Sequence, residues 1–275
     1  MKLLASKKIS FIGGGNMAQA MIGGLLAKGF KTSLITVAEP NEAIRKKLEE
    51  KGLITVDAAV NPTVAVEGAD IIVLAVKPQI LGKVVAEFKD ALHEQLVISI
   101  AAGLSVSTIS TMLDGYKTIV RAMPNTPAML QMGASGLYAP TTISDEQKQL
   151  ALAIMSAVGL ALWVEEENHL HAVTAVSGSA PAYFFYFLEN MIEAAVDLGL
   201  TPKQASALAM QTALGSAQMS IVSDTSPSQL RKNVTSPNGT THAAIEFMKT
   251  HKVGEHIQQA MKACNERSIE LSKVL

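Results

Sequence analysis

KISFIGGGNMAQAMIGGLLAK, residues 8–28, decides the fold. Lys8–Ile12 reads as a short buried strand, and Gln19–Lys28 carries a helical apolar pattern. Between them, Gly13-Gly14-Gly15-Asn16-Met17-Ala18 spells G-x-G-x-x-A. Each position has a physical job. Gly13 permits the tight turn, Gly15 lets the backbone approach a pyrophosphate, and Ala18 keeps the helix close to the strand. The helix start adds free N–H groups and the positive end of its dipole. A glycine-rich turn with no ligand is the plainer reading. The strand before it and the helix after it argue for a dinucleotide site built from Gly13, Gly14, Gly15, Asn16, Met17 and Ala18.

The alternation continues outward from this motif. Leu34–Ala38, Ile71–Val76, Leu96–Ile100 and Thr118–Ala122 read as strands, and Ala134–Tyr138 and Ala161–Val164 are further candidates. Asn41–Lys51 reads as a helix with a polar face. Continuously apolar strands separated by helices predict a mainly parallel sheet covered on both faces. Ligands on such sheets bind beyond the carboxyl ends of the strands. Three predicted strands end in unusual loops there: Val76-Lys77-Pro78, Ala101-Ala102-Gly103 and Met123-Pro124-Asn125-Thr126-Pro127. Glu39 ends the second strand, where an acid holds the ribose 2′-hydroxyl and favours NAD. Arg45, Lys46 and Lys47 fit either a 2′-phosphate or the wet face of a helix, so NADP(H) and NAD(H) both remain open.

After Val164 the strand signals stop. Glu165-Glu166-Glu167 opens a helical stretch towards Val176, and Ser177–Pro181 interrupts or kinks it. Ala182–Leu198 reads as a long apolar helix. Thr201-Pro202 and Ser226-Pro227 are helix starts, and a last helix runs towards Leu275. The organisation is therefore α/β. A Rossmann-type, doubly wound domain over residues 1–164 precedes an all-helical domain over 165–275. These helices carry more apolar surface than a small bundle can bury alone, which predicts a homodimer through this domain.

Bulk properties narrow the function. The net charge is −1 with no basic stripe, so neither nucleic acid nor a membrane surface is an expected partner. The longest apolar runs fall far short of the ~20 residues of a membrane span. A single cysteine, Cys264, excludes an internal disulfide and fits a reducing, cytoplasmic setting. MKLLASKK breaks its apolar run at Lys7 and Lys8, unlike a secretory signal. No metal site is expected, because His169 and His171 point to different faces of a helix.

VTSPNGTT, residues 234–241, is a turn running into a helix start with no carboxylate, thiol or lysine. Such a start can aim N–H groups at a substrate carboxylate, with Gly239 leaving the approach open. A hydroxyl of Thr240 or Thr241 remains for a second substrate group. A C=N bond protonated before hydride arrives needs orientation and a hydrogen bond rather than a strong general acid. A plain helix cap is the competing reading. His242 follows Thr241 by one residue and so points about 100° away on a helix.

Together, FIGGGNMA (11–18), LAVKPQ (74–79), SIAAG (99–103), RAMPNTPA (121–128), AVSGSAPAYFF (175–185) and VTSPNGTT resemble the pyrroline-5-carboxylate reductase family. They span nearly the whole chain in the family's order. The resemblance implies reduction of 1-pyrroline-5-carboxylate to L-proline with NADPH or NADH, by a Rossmann domain followed by a helical dimerisation domain. Dimers assemble into larger rings in some members. It implies Thr241 as the residue that hydrogen-bonds the ring nitrogen. Glu166, Asn233, Ser236, Gly239 and Thr240 join it on the substrate side. Glu39, Asn61, Ala75, Val76, Lys77, Pro78, Ala101, Ala102 and Gly103 join the glycine loop on the cofactor side. Asn238 and Ala180 stand where the family often has glycine, and Glu39 runs against the usual NADPH preference. A β-hydroxyacid dehydrogenase is the enzymatic alternative, but Ser177–Tyr183 offers no lysine for its acid/base. A dinucleotide sensor is the non-enzymatic one, and it would have no use for VTSPNGTT.

Overall fold

The structure, a computed structural model, describes residues 2–274. By contacts it divides into two compact units. One comprises the chain up to Ser179 together with the residues from Cys264 onward; the other is Ala180–Ala263.

The first unit holds an eight-stranded sheet: β1 Ile9–Ile12, β2 Ile35–Ala38, β3 Ile54–Val56, β4 Ile71–Leu74, β5 Leu96–Ser99, β6 Ile119–Met123, β7 Gly133–Tyr138 and β8 Gly159–Trp163. The order is β3-β2-β1-β4-β5-β6-β7-β8. All neighbours are parallel except β6 and β7. The order in which successive strands are added reverses at β1, the switch point at which a crevice opens beyond the strand ends. β1 and β4 are buried along their whole length, as strands covered on both faces must be. Helices α1 (Asn16–Ala27) and α6 (Asp145–Met155) cover one face, where Met21, Leu25 and Ile154 meet Ile9 and Phe11. Helices α3 (Thr63–Val66), α4 (Pro78–Ala86) and α5 (Val106–Met112) cover the other, where Leu81, Val85 and Ile109 meet Ile12, Ile72 and Leu74. Helix α2 (Glu42–Glu49) is capped by Asn41, whose side chain accepts from the Ile44 N–H. The six strands expected from the sequence beyond β1 all form, with ends shifted by a residue or two.

Two local expectations need correction. The strand β3 was not expected: Ile54-Thr55-Val56 is a half-exposed edge strand too short for a period. The helix expected from Glu165 starts later, as α7 (His169–Val173), and passes directly into a π turn over Thr174–Gly178. The interruption expected at Ser177–Pro181 is that π turn, closed by the Ser179 N–H donating to the Thr174 carbonyl at 2.8 Å.

The second unit contains α8 (Ala180–Asp197), α9 (Pro202–Val222), α10 (Pro227–Asn233), α11 (Thr240–Thr250) and the first half of α12 (Val253–Val274). Thr201 caps α9 in a reciprocal capping box with Gln204, and Ser226 caps α10 ahead of Pro227. Among the described residues, only Ala180, Ala205 and Ala209 of this unit are buried. Phe184, Phe185, Tyr186 and Phe187 are each more than half exposed on a single chain. A patch this apolar marks a protein interface.

Candidate active site

The loop after β1 carries the geometry that its glycines anticipate. Gly13 has φ +100°, and a Cβ there would lie 2.9 Å from the Ala75 carbonyl oxygen. Gly15 caps α1 with extended backbone and no side-chain hydrogen bond, and nothing lies within 4 Å of where its Cβ would project. The start of α1 thus has no side-chain cap and leaves room beside Gly15, the arrangement that receives a phosphate. Asn16 is exposed at the helix start, Met17 is half-buried and Ala18 is buried against the sheet.

A cavity of about 650 Å³ opens beside this loop, lined among others by Gly13, Gly15, Glu39, Ala75, Val76 and Lys77. That is the size of a site for a drug-sized or nucleotide ligand. Pro78 is the first residue of α4 at its margin. Asn61 is exposed next to Pro62, a lining residue. Ala101, Ala102 and Gly103 follow β5 at the same edge of the sheet but do not line the cavity.

Glu39 is buried, and both carboxylate oxygens are engaged: Oε2 accepts from the Gly14 N–H at 2.8 Å and Oε1 from the Asn41 N–H at 2.9 Å. The acid is therefore locked to the glycine loop itself. Arg45 is a brace. Its guanidinium donates to the carbonyls of Glu39 and Pro40 and pairs with Asp57 at 2.8 Å. Lys46 pairs with Glu42 on the exposed face of α2.

In the second unit, Ser236-Pro237-Asn238-Gly239 forms a turn in which the Gly239 N–H donates to the Ser236 carbonyl at 3.0 Å. Asn238 takes φ +60°, a conformation native to glycine that asparagine tolerates. Gly239 caps α11 with no side-chain hydrogen bond, so this helix start is a second uncapped one. Thr240 and Thr241 are exposed in its first turn. Asn233, the last residue of α10, accepts from Gln229 through its Oδ1.

The glutamate with structural partners is Glu167, not Glu166. Glu166 is exposed and uses its carbonyl to accept from the His169 N–H. Glu167 accepts from the Val106 N–H at 2.7 Å and pairs with the buried Arg121 at 3.1 Å. His171 lies in the same region, with Nδ1 2.9 Å from Ser268 Oγ. Burial, and then the charge of Arg121, lower its pKa. Asn125 was also missed as a structural residue, though its loop was singled out. It is buried, accepts from the Ala134 N–H at 2.8 Å and donates to the Ser177 carbonyl at 3.0 Å. Among the described residues, no group of three or more His, Cys, Asp or Glu is placed to hold a metal ion. Among them, no helix is long and apolar enough to cross a membrane.

Two family models match the chain. The model for pyrroline-5-carboxylate reductase dimerisation matches residues 167–271, and the model described as NADP oxidoreductase coenzyme F420-dependent matches residues 8–103. The chain is 44% identical over 273 residues to the pyrroline-5-carboxylate reductase of Pseudomonas aeruginosa, covering 99% of each. The chain belongs to the pyrroline-5-carboxylate reductase family. A solved pyrroline-5-carboxylate reductase from Coxiella burnetii superimposes with a TM-score of 0.91 at 42% identity, covering 97% of this chain and 98% of that one. The Plasmodium falciparum pyrroline carboxylate reductase, solved with NADP bound, gives 0.86 at 28% identity, covering 98% and 99%.

Proposed function

We propose that the protein reduces 1-pyrroline-5-carboxylate to L-proline with a hydride from NADPH or NADH. The observation that carries this is the 44% identity to a reductase of that name along essentially the full length of both chains. The chemistry balances with few protein groups. The ring nitrogen is protonated first, the hydride forms a C–H bond at the C=N carbon, and the π pair becomes the amine lone pair. The protein supplies orientation and hydrogen bonds.

In this reading residues 1–164 hold the nucleotide and residues 165–275 hold the substrate and the dimer contact. The glycine loop from Gly13 to Ala18 receives the pyrophosphate. Glu39, Asn61, Ala75–Pro78 and Ala101–Gly103 surround the rest of the cofactor. The α11 start at Gly239 and Thr240 receives the carboxylate, with Glu166, Asn233 and Ser236 beside it, and Thr241 hydrogen-bonds the ring nitrogen. The protein works in the cytoplasm as a homodimer, and dimers close into a larger ring. The exposed aromatic run on α8 supports the dimer, and sedimentation at micromolar concentration tests it: a strict monomer overturns the assembly.

The activity test is loss of reduced-nicotinamide absorbance on adding pyrroline-5-carboxylate, with NADPH and NADH in parallel. No loss with either, while the nucleotide still binds, overturns the substrate. Thr241→Ala is expected to lower kcat about 10- to 100-fold, the equivalent of the roughly 1.5–3 kcal/mol of one hydrogen bond to a charged group. Thr241 is exposed, so its removal is expected to leave stability within about 0.5 kcal/mol. A wild-type rate in that variant removes Thr241 from the mechanism.

A further inference from the structure

We propose that Asn125 is a positioning residue for hydride transfer, its side-chain amide holding the π turn Thr174–Gly178 over the carboxyl end of β6. The inference rests on the reductase reading above, because it concerns where the reacting end of the nucleotide lies. It starts from a gap in a helix ladder. The carbonyl of residue 177 would ordinarily accept from the N–H four residues on. That residue is Pro181, which has no N–H. Asn125 supplies a donor from outside the helix, its Nδ2 lying 3.0 Å from the Ser177 carbonyl oxygen.

The other end of the same amide is equally committed. Oδ1 accepts from the N–H of Ala134 at 2.8 Å, at the start of β7. Because β7 runs antiparallel to β6, its start lies at the carboxyl edge of β6. Asn125 therefore joins three segments at that edge: the loop after β6, the first residues of β7 and the π turn. It is 8% exposed, so its two bonds are made out of water and hold firmly. The turn is also pressed close, since a Cβ on Gly178 would lie 2.8 Å from Met123 Cε at the end of β6. A nucleotide with its pyrophosphate on α1 extends along this edge, beyond the carboxyl ends of the strands. π turns inside helices are common at functional sites. Here the turn sets a backbone surface against the sheet edge beyond the strand ends, and a displacement of about 1 Å in a hydride-transfer geometry costs on the order of 100-fold in rate.

Asparagine suits the task because one planar group donates on one side and accepts on the other. Asn125→Ala removes both bonds, and Asn125→Asp keeps the acceptor but loses the donor when ionised. A protonated Asp restores the donor, so the acid form mimics asparagine. The charged groups on the adjoining elements include Arg121, on β6, and Glu167, just before α7, and they pair with each other at 3.1 Å. His171 also stands on α7, and Cys264 bonds Ser179 after the π turn.

The experiment measures kcat with pyrroline-5-carboxylate from pH 5.5 to 8, nucleotide Kd by fluorescence, and thermal unfolding, for the wild type and both variants. Asn125→Ala is expected to lose at least tenfold in kcat with its nucleotide Kd within threefold of wild type. Asn125→Asp is expected to gain activity as pH falls, on a limb the wild type lacks. A purely structural role would move Tm and Kd with kcat, and would leave the two pH profiles parallel. A wild-type kcat in Asn125→Ala, a loss matched by weakened nucleotide binding, or parallel profiles overturn the proposal. Should Asn125→Ala fail to fold, the Asn125→Asp profile alone settles the matter. An inactive wild type that binds nucleotide overturns the reductase reading as well, whereas a normal wild type with an unaffected Asn125→Ala overturns this proposal alone.

Discussion

Gly13→Ala is expected to bind NADPH and NADH at least 100-fold more weakly than the wild type, and to unfold at a lower temperature. Two costs combine. Gly13 sits at φ +100°, outside even the left-handed well that other residues visit at a cost of roughly 1–2 kcal/mol. The added methyl would also press to 2.9 Å against the Ala75 carbonyl oxygen and Val76 Cγ1. The carbonyl is backbone at the end of β4 and cannot swing aside, so the glycine loop must move. Movement of the loop carries the N–H groups of α1 away from the pyrophosphate, and 100-fold in Kd corresponds to about 2.8 kcal/mol. Gly15→Ala separates the two costs. Its methyl meets nothing within 4 Å, so thermal stability should hold while binding weakens, because the methyl occupies the approach of the phosphate. Isothermal titration with NADPH and a thermal melt on both variants check this. Wild-type affinity in Gly13→Ala would remove the loop from the nucleotide site.

The second large effect concerns the choice of nucleotide. Glu39→Ser is expected to shift the ratio of kcat/KM for NADH over NADPH towards NADPH by at least tenfold. A 2′-phosphate placed about 4 Å from an ionised carboxylate meets a repulsion of roughly 4 kcal/mol per unit charge at an effective dielectric of about 20. Glu39 cannot turn away to relieve it, because its two oxygens are tied to the N–H groups of Gly14 and Asn41. Arg45 cannot neutralise the phosphate cheaply either, since its guanidinium is spent on Asp57 and on two carbonyls. Serine removes the charge and offers a hydroxyl to the phosphate. Steady-state kinetics with both nucleotides read the ratio, and an unchanged ratio would show that Glu39 braces the loop without discriminating.

The parts of the fold that were legible in the sequence are those where burial leaves a pattern. β1 and β4 are buried on both faces, and their segments rich in Ile, Val, Leu and Phe could be read directly. β3 left no such trace because an edge strand of three half-exposed residues needs neither an apolar run nor an alternation. Glu165–Glu167 resembled a helix start by composition, yet Glu167 is drawn out of the helix to meet the Val106 N–H and Arg121, partners 61 and 46 residues away in sequence. The glycine loop was readable because φ +100° and close backbone contact admit only one residue type. Asn125 was visible as part of an unusual loop, but its role was not, since the Ser177 carbonyl becomes available only through the π turn and Pro181. The turn itself was half legible: Pro181 announces a break, while its form depends on what the freed carbonyl finds across the fold.

Helix α12 has a consequence for how the protein is made. It begins in the helical unit, but from Cys264 onward it belongs to the sheet unit, where Ser268 meets His171 and Cys264 meets Ser179. The sheet unit is thus encoded in two pieces, with Ala180–Ala263 between them. A ribosome adding about 5–20 residues per second emits all eight strands and then needs roughly 4–17 s to cross that interval. Throughout that time the nascent sheet lacks the helix segment that covers His171. Its final consolidation therefore waits for the residues that follow Ala263 to leave the exit tunnel, and the exposed phenylalanines of α8 emerge before they do.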